Sequence, residues 1–532
     1  MIWLAAGFAV AAAAGFIPQA GDGVFRRLKS QARILCIAAP LLILLIRAAL
    51  LPFWPIPKPY IYDEFGYLLQ ADTFSLGRLT NPAHPMAPFF ESIYILHDPT
   101  YTAKFPPGQG LFLALGKLAL GDAWFGVWLS CGVLMASLIW CLRGWLPTGW
   151  ALFGALLATP ICLFSYWMNS HWGGAVTAIG GALVTGALGR LLHGQKPYNA
   201  WPLGMGCVLL MWTRPFEGLL LIVPAFAILL AQRLPWMVWA RVALVGLLGA
   251  GWLGFYNYKV TGNPLLLPYV LYDNQHPSTT HFAFLPTPTA KPFPHQNFAW
   301  IDQWEREASD RTRTLQFPLD RLTDLYKVLT ELLGTVALIM PLVLFGSPVL
   351  RNRNMKVLAL LVGIALIGSF LETVYYPHYF APALAALLVL LVQSYRHLRI
   401  WRWNGKPVGQ FLTRFAPLTV LLLLGGKEAV VMLRHQPIEE TIPVNGRRDK
   451  LAGLLEERDP LADHLIVVRY TTPKIPHEEW VYNLAEIDKA HVVWAQDMGK
   501  VANRKLLHYY AGRKVWLLQP DINPDQLNSY VE

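Results

Sequence analysis

An unbroken run of about 20 apolar residues has one natural solvent, the hydrocarbon core of a bilayer. A helix of that length crosses roughly 30 Å and satisfies its own backbone polar groups on the way. This chain carries such runs repeatedly, near 2–19, 34–53, 123–142, 148–165, 173–193, 200–213, 216–232, 237–257, 328–349, 355–373, 378–394 and 410–430. With the shorter apolar stretch from Pro106 to Leu120, the total is about 12 or 13 spans. The expected fold is an all-α polytopic membrane protein. Composition agrees, because 55% hydrophobic and 14% charged residues over 532 positions exceed what a soluble globular chain carries. The run from Ile2 to Ile17 has no basic region before it, so it reads as a retained first helix rather than a cleaved signal.

The net charge of +11 does not point to nucleic acid, since the basic residues form no stripe interleaved with aromatics. They cluster between apolar runs, as Arg26, Arg27, Lys29 and Arg33, then Arg351, Arg353 and Lys356, then Arg396, Arg399, Arg402 and Lys406. Placing these clusters in the cytoplasm makes the helix at 34–53 run outward. Segments 54–105 and 258–326 are then external loops, provided that Pro106–Leu120 does not span. The five cysteines all fall inside or at the ends of apolar runs, so no disulfide framework is expected.

Near residue 437 the composition turns charged, and apolar residues retreat to short runs such as 465–468, 492–494 and 515–518. Residues 1–436 are therefore expected to form the membrane domain. Residues 437–532 are expected to form a small soluble α/β domain, extracytoplasmic and auxiliary, with a marginal core of its own.

Chemistry concentrates in the first loop, at Tyr60-Ile61-Tyr62-Asp63-Glu64-Phe65-Gly66-Tyr67. Leu68, Leu69 and Leu76 follow at spacings that suit an amphipathic helix lying on the membrane surface. Two adjacent carboxylates at its start are either functional or a charge pair complementing the helix dipole, worth about 0.3–1 kcal/mol. Farther on stands Lys104-Phe105-Pro106-Pro107-Gly108-Gln109-Gly110, leading into an apolar helix.

An Asp-Glu-x-x-Tyr pattern in a first external loop, followed by a Lys/His-Pro-Pro segment, resembles the GT-C fold membrane glycosyltransferases. It looks most like glycosyltransferase family 39, the protein O-mannosyltransferases and aminoarabinose transferases. The resemblance implies transfer of a sugar from a polyprenyl-phosphate-linked donor to an acceptor hydroxyl or amine at the extracytoplasmic face, with inversion. The acceptor, whether lipid, glycan or protein, is left open, and so is a divalent metal; no other cofactor is implied. It also implies a multi-pass protein of the bacterial inner membrane, in contact with membrane lipids.

By the same resemblance Asp63 is the candidate base. Glu64 would orient it, or help to bind acceptor or metal. A phosphate leaving group calls for positive charge, and Lys104, Arg214 and His378 are the candidates. Each has a plainer alternative: Lys104 at the interface with its charge reaching water, Arg214 paired with Glu217, and His378 in an aromatic belt. Candidate substrate-lining groups are Tyr62, Tyr67, His84, Asn169 and His171. The last two belong to the aromatic-bracketed stretch Ser165–Gly174, which suits an interface belt equally well. His276, His281 and His295 match no zinc spacing. The rival from another class is a carrier or flippase for a lipid-linked or polar substrate. Such proteins place charge near the midplane of broken helices, whereas these carboxylates concentrate in loops.

Overall fold

The computed structural model describes residues 32–194, 196–276, 281–287, 295, 298–333, 338–417, 419, 426, 444–471 and 479–531. The helix expected near 2–19 and most of 418–430 lie outside them. Helices at Ala32–Ala49, Trp124–Trp145, Thr148–Leu163, Ala175–Leu192, Ala200–Thr213, Pro215–Leu230 and Trp236–Thr261 stand where the apolar runs predict them. Their ends follow local chemistry. Pro147 and Pro235 stand just ahead of helix starts, and Gly262 closes Trp236–Thr261 in the left-handed conformation, with φ 79°. Five helices among the described residues are long and apolar enough to cross a membrane: Trp124–Trp145, Ala175–Leu192, Trp236–Thr261, Arg353–Leu371 and Pro377–Ile400. The protein is an integral membrane protein.

The bundle centre is Ala175–Leu192, packed between Trp124–Trp145 and Ala200–Thr213. Small residues permit that approach, since lipid supplies no hydrophobic drive between helices. A Cβ on Gly186 would lie 2.4 Å from the Trp140 ring, and one on Gly181 would lie 2.1 Å from the Pro382 carbonyl oxygen.

Two regions depart from expectation. In place of one span at 328–349 there are two helices, Phe317–Leu333 and Met340–Leu350. The first carries Asp320, Arg321, Asp324, Lys327 and Glu331, while Val328 and Leu332 join the bundle core. Its first turns are therefore amphipathic, and charge keeps them from being a uniform apolar span. The second departure is the helix Tyr62–Ser75. It does not present one face to a membrane surface, because 11 of its 14 residues are buried.

What covers it is the neighbouring helix Pro107–Leu120 on one side and the C-terminal domain on another. Pro107–Leu120, at about 1.5 Å per residue, is roughly 21 Å long, short of a hydrocarbon core. In the C-terminal domain, strands Val492–Gln496, His464–Val468 and Lys514–Leu518 run parallel in that spatial order, with Leu527–Ser529 antiparallel at the edge. The strand period of two divides the central strand. Ile466 and Val468 face the helix Val444–Arg458, together with Trp480 and Trp494. Leu465 and Val467 face the other way, into a core completed by Leu69, Phe89, Phe90, Ile95, Tyr101 and Ala103 of the first long loop. The domain expected to be auxiliary thus shares a hydrophobic core with the segment that carries Asp63.

Candidate active site

Ile61 is extended and Tyr62 opens the helix, so Asp63 and Glu64 occupy its first turn. Their surroundings differ sharply. Glu64 is buried, and both its oxygens are engaged. Oε2 accepts from the backbone N–H of Tyr60 at 2.8 Å and of Ile61 at 3.2 Å. Oε1 accepts from the backbone N–H of His171 at 2.8 Å and lies 3.2 Å from its Nδ1. Burial by itself would raise the Glu64 carboxyl, but hydrogen bonds from His171 and from the Tyr60 N–H outweigh it and hold the group below its usual range. Glu64 therefore ties the first loop to the Ser165–Gly174 stretch.

Asp63 is only partly buried, and no other side chain hydrogen-bonds its carboxylate among the described residues. Burial pushes it up to about 6, against the opposing pull of the Lys104 and Arg214 charges. These two cations, expected from separate motifs, do converge on it. Lys104 is 8% exposed, so it does not reach for water. Its Nζ lies 3.8 Å from the Tyr94 ring centroid and 4.8 Å from that of Tyr272, and it forms no ion pair among the described residues.

Arg214 sits at the break that Pro215 imposes between two helices. It lies 4.1 Å over the Tyr379 ring, and its Nη1 is 3.2 Å from Glu217 Oε1, the pairing that i,i+3 spacing allows. Beside it lies a small cavity, lined by Tyr67, Gln109, Trp172, Thr213, Arg214 and His378 among others. His378 is buried at the start of a 3-10 turn, with Nδ1 2.9 Å from the Tyr166 hydroxyl and its ring 4.6 Å from that of Trp172.

Other candidates are placed elsewhere. Tyr62 packs on Trp300 with centroids 5.8 Å apart, and His171 is bound to Glu64. Asn169 Oδ1 accepts from Arg47 Nε at 3.0 Å, while its Nδ2 donates to the Leu163 and Ser165 carbonyls. His84 Nε2 lies 2.9 Å from Asp488, so it belongs to the junction with the C-terminal domain and not to the cavity. His281 pairs with Asp273 and His295 with Glu91. No group of three or more His, Cys, Asp or Glu is placed to hold a metal ion among the described residues.

No family model matches the chain, and no curated protein does. Among the solved structures similar to it are two of one protein. One is ArnT from Cupriavidus metallidurans bound to undecaprenyl phosphate, with a TM-score of 0.49 and 15% identity, covering 92% of this chain and 93% of that one. The other is the same protein in the apo state, with a TM-score of 0.48, 14% identity and the same coverage.

Three further buried charges were not legible as such in the sequence. Arg321 is 1% exposed, and its Nη2 donates to the backbone carbonyl of Glu372 at 2.5 Å. Glu372 Oε1 has no hydrogen-bond partner among the described residues, and its carboxylate feels both Glu217 and Arg214. Arg47 lies fully buried between the Trp54 and Trp124 rings and donates to the Trp54 and Pro55 carbonyls. For Arg47 and Glu372 a charge inside or at the end of an apolar run was the available signal; Arg321 stands among other charges ahead of the run at 328–349 and offered none.

Proposed function

We propose that this protein transfers a sugar from a polyprenyl-phosphate donor to an acceptor hydroxyl or amine, at the extracytoplasmic face of a bacterial inner membrane. The observation that carries the reading is Asp63: a carboxylate with no side-chain hydrogen bond among the described residues, raised to about 6, under the influence of Lys104 and of Arg214, the second of which lines the cavity. A general base needs a free lone pair and a pKa near the working pH, and Asp63 has both. It removes the acceptor proton as the acceptor attacks the anomeric carbon. The bond from that carbon to the phosphate oxygen breaks with inversion, and the electron pair leaves with polyprenyl phosphate.

Positive charge favours that departure. Arg214 is partly neutralised by Glu217, whereas Lys104 has no ion pair among the described residues. Lys104 therefore has the more available charge, and Arg214 and His378 line the cavity where a phosphate would enter. Glu64, with both oxygens engaged, is a positioning residue rather than a second base. Residues 54–105 then face outward, as the basic cluster before the 34–53 helix implies.

The test is purified protein reconstituted into sealed liposomes, with a polyprenyl-phosphate sugar and a mixed envelope extract as acceptor. Sugar-dependent release of polyprenyl phosphate, with the sugar recovered on an acceptor, is expected. Uptake or flipping of the donor without release would put a carrier in its place.

A further inference from the structure

The segment Glu479–Ala485 has two faces, each bonded to a different part of the protein. On one side Trp480 and Val481 are buried in the C-terminal domain, and Asn483 grips its edge strand. Asn483 Nδ2 donates to the Trp494 carbonyl at 2.8 Å, and the Trp494 N–H donates to Asn483 Oδ1 at 3.1 Å. On the other side the Tyr101 hydroxyl donates to the Asn483 carbonyl at 2.8 Å, and the Ala485 N–H donates to Asp72 Oδ2 at 2.9 Å. The Tyr482 ring lies 4.5 Å from that of Phe65. Phe65 and Asp72 both belong to the helix that begins with Asp63. The other oxygen of Asp72 is held by Lys117 of the next helix.

We infer that residues 479–485 are a clamp that positions the Asp63 helix, so that the C-terminal domain controls turnover without touching substrate. The inference rests on Asp63 being the base, as proposed above. Glu64 fixes the first turn of the helix to the Ser165–Gly174 stretch, but that anchor leaves the helix free to pivot. Phe65, on the same turn, and Asp72, about two turns on, remove the pivot. Placement matters because a shift of about 1 Å in a reacting group costs on the order of 100-fold in rate. The ring of Tyr482 supplies the contact, since its hydroxyl has no hydrogen-bond partner among the described residues.

Two variants of the full-length protein separate a clamp from a passenger domain. Tyr482→Ala should speed amide hydrogen exchange in residues 62–75 by about tenfold, leaving the Trp124–Trp145 helix unchanged. Its kcat should fall roughly 10- to 100-fold with the donor KM within about twofold. Tyr482→Phe keeps the ring and should restore both to wild-type values. Should Tyr482→Ala not fold, Tyr101→Phe removes one hydrogen bond and should show the same pattern at about a few-fold. Unchanged exchange in 62–75, or faster exchange with wild-type kcat, overturns the clamp. A wild-type protein that transfers no sugar overturns the proposed function instead, and the exchange result then decides by itself whether the domain holds the helix.

Discussion

The Tyr62–Ser75 helix and the region around Arg214 both bury carboxylates next to basic groups and each leaves one carboxylate open, but the cations beside them differ. Along the helix, Glu64 and Asp72 have both oxygens occupied, by backbone N–H groups, His171 and Lys117, and Asp63 is the carboxylate left open. Around Arg214 the cation is the occupied partner, paired with Glu217, and the open group is the buried Glu372 Oε1. A free carboxylate with a raised pKa suits proton transfer, and a free cation suits phosphate. Asp63 is the open carboxylate acted on by Lys104, a cation with no ion pair among the described residues, whereas Glu372 lies near an Arg214 already paired with Glu217; this makes Asp63 the better candidate base and Lys104 the better candidate for phosphate.

The largest effect that would break this contrast is on Asp63. Asp63→Asn keeps the shape and helix-start preference of Asp but cannot accept a proton. Turnover should drop by roughly 10²–10⁴-fold while the donor still binds. Transfer within about tenfold of wild type, at matched insertion, would remove Asp63 as the base. Next comes Lys104→Met, which removes an available charge in a desolvated site. Its loss should weaken donor binding by about 10- to 100-fold, as a charged hydrogen bond of about 1.5–3 kcal/mol implies. Titration of donor into purified protein reads this directly, and an unchanged affinity would assign Lys104 to its aromatic cage alone.

The sequence disclosed these regions unevenly. Ala200–Thr213 was legible to the residue because Pro215 marks where the next helix starts, and Asp63 stood out through its motif. The burial of Tyr62–Ser75 was not legible. Its apolar spacing shows one face, while the other is covered by a segment whose Ala485 lies 413 residues from its partner Asp72. The same holds for Glu64, since nothing in a neighbouring pair of carboxylates says which will be saturated by a loop 107 residues away. Glu372 and Arg321 became partners only when the expected 328–349 span proved to be two helices, the first of them amphipathic.

Glu64→Gln sharpens the comparison from the structural side. The amide still accepts on one oxygen but places an NH₂ where two N–H groups were received. Stability should fall by about 2 kcal/mol, seen as a lower midpoint of thermal unfolding, with turnover of the folded fraction within about tenfold of wild type. A catalytic Glu64 would show the reverse, an intact midpoint with turnover lost. Smaller still is Arg214→Lys, which keeps charge near Glu217 but loses the planar fork. It should raise the donor KM by about 3- to 10-fold with little change in kcat.

The smallest effect concerns pH. Burial raises Asp63 to about 6, above the roughly 4 of an unfolded chain, so the folded protein holds this proton more tightly. Stability linked to the protonated form is fully present below pH about 4 and is lost as pH rises through 6. The ionised carboxylate is therefore a burden at neutral pH, up to about 3 kcal/mol from the shift and nearer 1 kcal/mol once its partial exposure is allowed for. Asp63→Asn carries no such burden at any pH. It should unfold with the wild type at pH 4, and a few degrees above it at pH 7.5. Turnover of the wild type should run opposite to this stability, half-maximal near pH 6 and falling about tenfold per unit below, because only the ionised form accepts a proton. Thermal unfolding of both proteins at the two pH values, beside one pH–rate profile, tests the pair of trends. If Asp63→Asn were less stable than wild type at pH 7.5, the carboxylate would be stabilising its surroundings as Glu64 does. The distinction between the two neighbouring residues would then be lost.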